Sequence, residues 1–170
     1  TRAVSRIALG LQKKFYLGNL NSKRDWGHAK DYVKVMWMIL QYEKADDWVI
    51  ATGKTTTIRE FVKMAFAHIG VELEFKGSGV NEKGIIKSST NVSYKLKVGS
   101  EVVLVDPKYF RPTEVDLLIG DSTKAREKLG WEPEVKLDGL VYDMMESDLK
   151  LFKKEKLLKD QGHDTYNYFE

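Results

Sequence analysis

The chain has 170 residues, with 28 Lys and Arg against 25 Asp and Glu, a net charge of +3 and no cysteine. That length suits one ordinary domain, or one part of a larger protein, with enough chain to bury a real core. The mixed charge excludes the concentrated basic stripe of a duplex-binding protein, and the missing thiols exclude disulfides, thiolate metal sites and thiol nucleophiles.

The longest apolar run, Val35 to Leu40, is far short of the roughly 20 residues that a bilayer span needs. No membrane or nucleic-acid partner is expected, and a cysteine-free chain suits a reducing, cytoplasmic setting. No signal peptide opens the chain. Thr1 stands first without a methionine, and Arg2 to Leu9 already has helical spacing, so the chain is expected to start inside an element, as a fragment does.

In chain order, Val4, Ile7, Ala8 and Leu11 predict a helix from residue 2 to about 13. Phe15-Tyr16-Leu17 predicts a short strand, and Gly18 to Ser22 a turn. Residues 29–43 form the clearest helix, with Tyr32, Val33, Met36, Trp37 and Leu40 on one face and Val35 and Ile39 widening it. That face predicts a largely buried helix whose Met36 and Trp37 are core packing. Trp48 to Ala51 predicts a buried strand. Thr57-Ile58-Arg59-Glu60 fits a capping box opening a helix through Ile69, which Gly70 stops. Val71 to Phe75 alternates as a half-exposed strand does. Residues 77–101 read as loop with one or two short strands, followed by a strand over Val102–Val105. Asp121-Ser122 caps a short helix that Gly130 closes, and Leu137 to about Lys159 forms a long final helix with exposed last turns. Helices and short strands alternate, so the fold class is α/β in its mixed, α+β form, with no domain boundary inside the chain.

Few residues offer chemistry. Ala51-Thr52-Gly53-Lys54-Thr55 imitates the end of a phosphate-binding loop, but Trp48 stands where that loop needs its first glycine, so Gly53-Lys54 reads as a plain turn. No GxGxxG spacing occurs, and no tyrosine is followed by lysine four positions on. His28, His68 and His163 are scattered without a partner at ligand spacing, and no metal is expected. Two arginine stretches remain, Leu17–Tyr32 and Asp106–Asp121. A planar guanidinium held beside a strand and ahead of a helix suits an oxyanion, so Arg24 and Arg111 are candidates to converge on one diphosphate. Taken singly, Arg24 could instead pair with Asp25 or Asp31, and Arg111 could bind carbonyls near Pro112.

Together the stretches are more specific. LGNLNSKRDWGHAKDYVKVMWMIL, VIATG, EKGI and VDPKYFRPTEVDLLIGDSTKAREKLGW, in this order, resemble the carboxyl-terminal half of the GDP-mannose 4,6-dehydratase family. Arg24-Asp25-Trp26 is shared loosely across the extended short-chain dehydrogenase/reductase group, whereas Tyr109-Phe110-Arg111-Pro112 with Glu114-Val115 points to the GDP-mannose branch. The resemblance implies a small substrate-binding lobe over residues 1–170, binding GDP-mannose through Arg24 and Arg111 on the diphosphate and Glu114 on ribose hydroxyls. Lys23 assists, and Gly18 lets guanine approach the backbone. It further implies an amino-terminal Rossmann domain, absent from these residues, that holds NADP and the catalytic Thr/Ser, Glu and Tyr-Lys groups. The implied reaction turns GDP-D-mannose into GDP-4-keto-6-deoxy-D-mannose. Sugar C4 is oxidised by NADP, water is lost across C5 and C6, and the hydride returns to C6. No catalytic residue is expected in this chain, which alone should be inactive, and the whole enzyme should be a homo-dimer or tetramer. A related GDP-hexose epimerase or reductase, or a non-catalytic interaction module on the same fold, stays open.

Overall fold

The computed structural model describes residues 1–114 and 117–165. In chain order its elements are α1 (Arg2–Ala8), β1 (Phe15–Leu17), β2 (Lys23–Arg24), α2 (Ala29–Leu40), β3 (Thr56–Thr57), α3 (Ile58–His68), β4 (Val71–Lys76), β5 (Lys83–Ser89), β6 (Glu101–Val105), α4 (Thr123–Leu129) and α5 (Leu137–Asp160). A four-stranded sheet runs β1–β6–β5–β4, and β2 and β3 form a separate two-stranded ribbon. The β1–β6 pair is parallel while β6–β5 and β5–β4 are antiparallel. This is the mixed α/β arrangement that alternating helices and strands imply.

The main core lies between that sheet and three helices. Val4 and Ile7 of α1, Ala65 and Phe66 of α3, and Val141 and Met145 of α5 meet Leu73, Ile86 and Val103 of the sheet. Each fully buried side chain of this size contributes on the order of 1.5–3 kcal/mol. The helix termini follow their sequence signals. Thr57 Oγ1 accepts from the Glu60 N–H at 3.1 Å, and Gly70, at φ +76°, carries the chain out of α3. Asp121 Oδ1 accepts from the Thr123 N–H at 2.9 Å at the start of α4, and Gly130 ends that helix in the left-handed region.

Four expectations need correction. Helix α1 stops at Ala8 instead of about residue 13, because Gly10 takes φ +73° and breaks the repeat. Within 77–101, read as loop with one or two short strands, residues 83–89 form a longer strand of seven residues in the middle of the sheet. Gly84 hid it: a Cβ there would sit 2.9 Å from Val103 Cβ, so the missing side chain is what lets β5 and β6 pack. Trp48–Ala51 forms no strand ladder among the described residues, and Val49 and Ala51 instead lie close against Gly120. Finally, α2 is not largely buried. Val35 is 1% exposed, but Val33, Met36, Trp37 and Leu40 are 61–80% exposed. Val35 instead joins a small second cluster with Ala125 and Trp131, flanked by Met38, Ile39, Trp48 and Ile50.

The last turns of α5 also hold one buried charge. Glu155 accepts from Arg6 Nη1 at 2.9 and 3.1 Å and from Lys159 Nζ at 2.7 Å. Burial pushes this carboxyl up, but the Lys159 hydrogen bond and the Arg6 charge outweigh it and hold the group below its ordinary value of 4.5. A carboxylate with a depressed folded pKa stabilises the fold above its unfolded pKa, and that contribution is lost as pH falls through the folded value. Thermal melts should therefore lose stability below about pH 4.5, and Glu155→Gln should flatten that acid slope. An unchanged slope would remove Glu155 from the account.

Candidate functional site

The basic pair sits where two segments cross. Lys23 and Arg24 form β2, and Arg24 pairs in register with Thr56 of β3. The preceding turn is tied to the start of α3, because the Ile58 and Arg59 N–H groups donate to the carbonyls of Ser22 and Leu20, both at 3.0 Å. The chain just past Arg24 is fixed equally firmly. Asp25 accepts from Thr52 Oγ1 at 2.6 Å and from the Gly53 N–H at 3.0 Å. With Gly53 at φ +75°, residues 52–54 are the plain turn that Trp48 implied. Trp26 packs on Phe61 with ring centroids 4.6 Å apart. Two residues on, His28 caps α2 by accepting from the Lys30 N–H at 3.1 Å.

The second arginine segment lies against the first. After β6, Asp106 carries a tight turn in which the Tyr109 and Phe110 N–H groups donate to its carbonyl at 3.0 Å. Asn19 then holds Arg111 from both sides. Its Nδ2 donates to the Arg111 carbonyl, and the Arg111 N–H donates to its Oδ1, each at 2.7 Å. Arg24 Nη2 donates to Glu114 Oε1 at 3.0 Å, across ninety positions of sequence. The five candidate residues Gly18, Lys23, Arg24, Arg111 and Glu114 thus occupy one crossing. Val115, the remaining residue of the motif, lies outside the described residues.

Two details differ from the sequence reading. The partner of Arg24 is Glu114, not Asp25 or Asp31, so these two groups offset each other's charge. What approaches the Gly18 backbone is the chain's own Tyr109 carbonyl, which a Cβ on residue 18 would meet at 2.4 Å. The side chains of Lys23 and Arg111 make no ion pair or hydrogen bond among the described residues. Asn19 is the residue that sequence reasoning missed. It stood in a turn-rich stretch, and nothing local indicates that its amide would clasp a main chain 92 positions away.

The crossing is flanked by two open depressions. One, of about 800 Å³, is lined by Arg2, Arg6, Lys14, Tyr16, Asp106 and Tyr109 among others. The other, of about 390 Å³, is lined by Arg24, Asp25, Tyr32, Ala51, Leu118 and Ile119 among others. Burial raises the Tyr32 hydroxyl above its ordinary pKa, helped by the charges of Asp25 and Asp31, so it stays a donor near neutrality. Among the described residues no group of three or more His, Asp or Glu side chains could hold a metal ion. No helix of the described residues is long and apolar enough to cross a membrane.

The family model described as GDP-mannose 4,6 dehydratase matches residues 1–144. The chain belongs to the GDP-mannose 4,6-dehydratase family. A GDP-mannose 4,6-dehydratase of Yersinia enterocolitica is 50% identical over 166 residues, covering 97% of this chain and 45% of the relative. The human GDP-mannose 4,6 dehydratase is 48% identical over 153 residues, covering 90% of this chain and 39% of the relative. The chain therefore spans less than half the length of these curated relatives. Among solved structures, RMD from Pseudomonas aeruginosa complexed with NADPH matches with a TM-score of 0.64 at 15% identity, covering 88% of this chain and 41% of that one. UDP-glucose 4-epimerase from Bifidobacterium longum, in complex with NAD+ and UDP, matches at 0.60 and 16% identity, covering 92% and 40%. At such identities the two structures speak for a shared fold.

Proposed function

We propose that this chain is the nucleotide-sugar-binding part of a GDP-mannose 4,6-dehydratase and binds GDP-mannose at the crossing of residues 18–24 and 106–114. The observation that carries the reading is the Arg24–Glu114 contact, with Arg111 clasped by Asn19 beside it. Arg24 contacts Glu114, and Lys23 and Arg111 stand in the same two segments, so the crossing carries more cations than carboxylates among these candidates, a balance suited to a diphosphate. The Arg24–Glu114 pair is partly solvated, with side chains 35% and 19% exposed. Pairs exposed to this degree are worth about 0–1 kcal/mol, so a diphosphate can replace Glu114 on Arg24 at small cost. The released Glu114, an acceptor-only carboxylate, then takes two ribose hydroxyls. Tyr16 and Tyr109 supply aromatic faces for the base in the larger depression.

This chain's contribution to turnover is binding energy from a part of the substrate that does not react, which orients the sugar and is expressed in rate. NADP does not fit the residues present. Its pyrophosphate needs a glycine-rich strand-to-helix turn, and the β3–α3 junction offers Thr57 instead. The cofactor and the catalytic groups belong to the part of the family's length that this chain does not span, and the chain alone has no dehydratase activity. The whole enzyme is read as a cytoplasmic homo-oligomer.

Calorimetry with GDP and UDP tests the site. GDP should bind and UDP should bind more weakly. Arg111→Ala should weaken GDP by about 1.5–3 kcal/mol, the range for hydrogen bonds to a charged group. Unchanged GDP affinity removes Arg111 from the site, and equal affinity for GDP and UDP favours the non-catalytic module.

A further inference from the structure

The EKGI stretch, residues 82–85, carries part of the family likeness and has no part in the nucleotide site built above. Its glycine is explained by the contact with β6, but its first residue is not. Glu82 is 5% exposed and stands just ahead of β5, where a buried carboxylate needs a partner. The partner is Arg59, the second residue of α3. Arg59 Nε donates to Glu82 Oε1 at 2.6 Å, and its Nη2 donates to Oε2 at 2.9 Å, a two-pronged fork. The guanidinium also lies over the Phe75 ring, 5.7 Å from its centroid. Burying an ion pair adds little to stability, since the desolvation of two charges offsets most of their attraction. The pair calls for another reason.

That reason lies in what the two residues hold. The Arg59 N–H donates to the Leu20 carbonyl at 3.0 Å, and the Ile58 N–H donates to the Ser22 carbonyl at the same distance. Leu20 and Ser22 lie between Asn19 and Arg24, in the first segment of the crossing. Glu82 is tied to the second. Lys83, which follows it, pairs in register with Leu104 of β6, the strand that runs into the 106–111 turn. Gly79, whose carbonyl accepts from the Glu82 N–H at 3.2 Å, faces Phe110, because a Cβ there would stand 3.9 Å from the ring's Cζ. Phe110 directly precedes Arg111. The Arg59–Glu82 salt bridge therefore joins the two segments by a route separate from the Arg24–Glu114 contact and the Asn19 clasp.

We infer that Arg59 and Glu82 are positioning residues that fix the spacing of the two arginine segments, so that Arg24 and Arg111 can meet one nucleoside diphosphate. Neither lines either depression. The other two ties do not suffice for this task. A diphosphate displaces Glu114 from Arg24 when it binds, and the Asn19 clasp fixes only the main chain of Arg111. The Arg59–Glu82 fork makes no contact that a diphosphate must break. It also suits the task better than a point charge, because two parallel hydrogen bonds fix an orientation as well as a distance.

The inference rests on the nucleotide reading, and the test separates the two. Glu82→Ala alone would bury an unpaired guanidinium and endanger the fold, so both partners are replaced together. In Arg59→Met/Glu82→Met, apolar side chains fill the space of the pair. The melting temperature should stay within about 4 °C of the parent, because such replacements are close to neutral. GDP affinity, read by calorimetry, should nevertheless fall at least about tenfold, since a misplacement of about 1 Å can cost on the order of a hundredfold. Arg59→Lys keeps the charge, loses the fork and should also bind GDP more weakly than the parent. In the ligand-free chain, the Arg111 amide that donates to Asn19 should exchange with solvent faster in the double variant. That readout needs no nucleotide. Parental GDP affinity in the double variant or in Arg59→Lys would overturn the proposal, and so would an unchanged Arg111 amide. A loss of affinity that comes only with a collapsed melt would overturn it too, since the pair would then be a plain structural brace. If the parent chain binds no GDP, the nucleotide reading fails, and the Arg111 amide still decides whether Arg59 and Glu82 hold the crossing.

Discussion

Gly18→Val is expected to cost the chain the nucleotide binding proposed for it while leaving most of the fold intact. Residue 18 follows directly on β1, and even a single Cβ there would lie 2.4 Å from the Tyr109 carbonyl oxygen and 3.1 Å from its carbon. Both atoms are main chain, so no side-chain rotation relieves the overlap. The turn at 106–111 must move, and with it the Asn19 clasp on Arg111 and the approach of Glu114 to Arg24. Overpacking of this kind costs about 1–3 kcal/mol in stability. Binding should fall further, by about 3 kcal/mol or more, because two charged contacts are misplaced together. Calorimetry with GDP, alongside a melt, reads both quantities. A Gly18→Val chain that binds GDP like the parent would show that the crossing is not the site. Gly18→Ala should lie between the two, because one methyl group requires a smaller shift.

Trp131→Ala should be the most destabilising single change outside the main sheet core. Trp131 is 2% exposed and anchors the small cluster with Val35 and Ala125. Its Nε1–H donates to the Asp31 carbonyl at 3.1 Å, and the Asp31 carboxylate in turn accepts from the Val135 N–H at 3.1 Å. Truncation leaves a cavity and removes the indole's hydrogen bond to the Asp31 carbonyl, for about 3–5 kcal/mol in total. That is a large fraction of the roughly 5–15 kcal/mol that holds a domain folded. Because the cluster joins α2 and α4 and little else, its loss should loosen those two helices ahead of the sheet. Denaturant unfolding followed by far-ultraviolet circular dichroism should gain an early phase. Trp131→Phe, which keeps most of the volume and loses the hydrogen bond, should cost less. A loss below about 1 kcal/mol for Trp131→Ala, the size of an average substitution, would mean that the cluster is not an anchor.

The two residues teach opposite lessons about legibility. Trp131 follows a helix-stopping glycine and was unremarkable in sequence, and only burial against Val35 and Asp31 gives it weight. The termini of α3 and α4 were legible because Thr57, Gly70, Asp121 and Gly130 act on main-chain groups within a few positions. Strand β5 was not. Its Gly84 interrupts the apolar alternation, and the reason for that glycine is Val103, nineteen positions away and on another strand. Helix α2 was read correctly in its extent of amphipathicity and wrongly in its burial. Periodicity reports which face is apolar, and says nothing about whether this chain supplies the surface that covers it.

By itself the amino-acid sequence determined the class of fold, the positions of several caps and turns and the family likeness, and it singled out two arginines and a carboxylate as candidates. Those follow from local backbone chemistry and from motifs whose order along the chain can be read directly. Only the tertiary structure decided that Asn19 clasps Arg111, that Arg24 rests on Glu114, and that the space at Gly18 belongs to Tyr109. Each is a contact between groups about ninety positions apart. Such contacts depend on the register of β1 against β6 and on the turn after it, which no local pattern encodes.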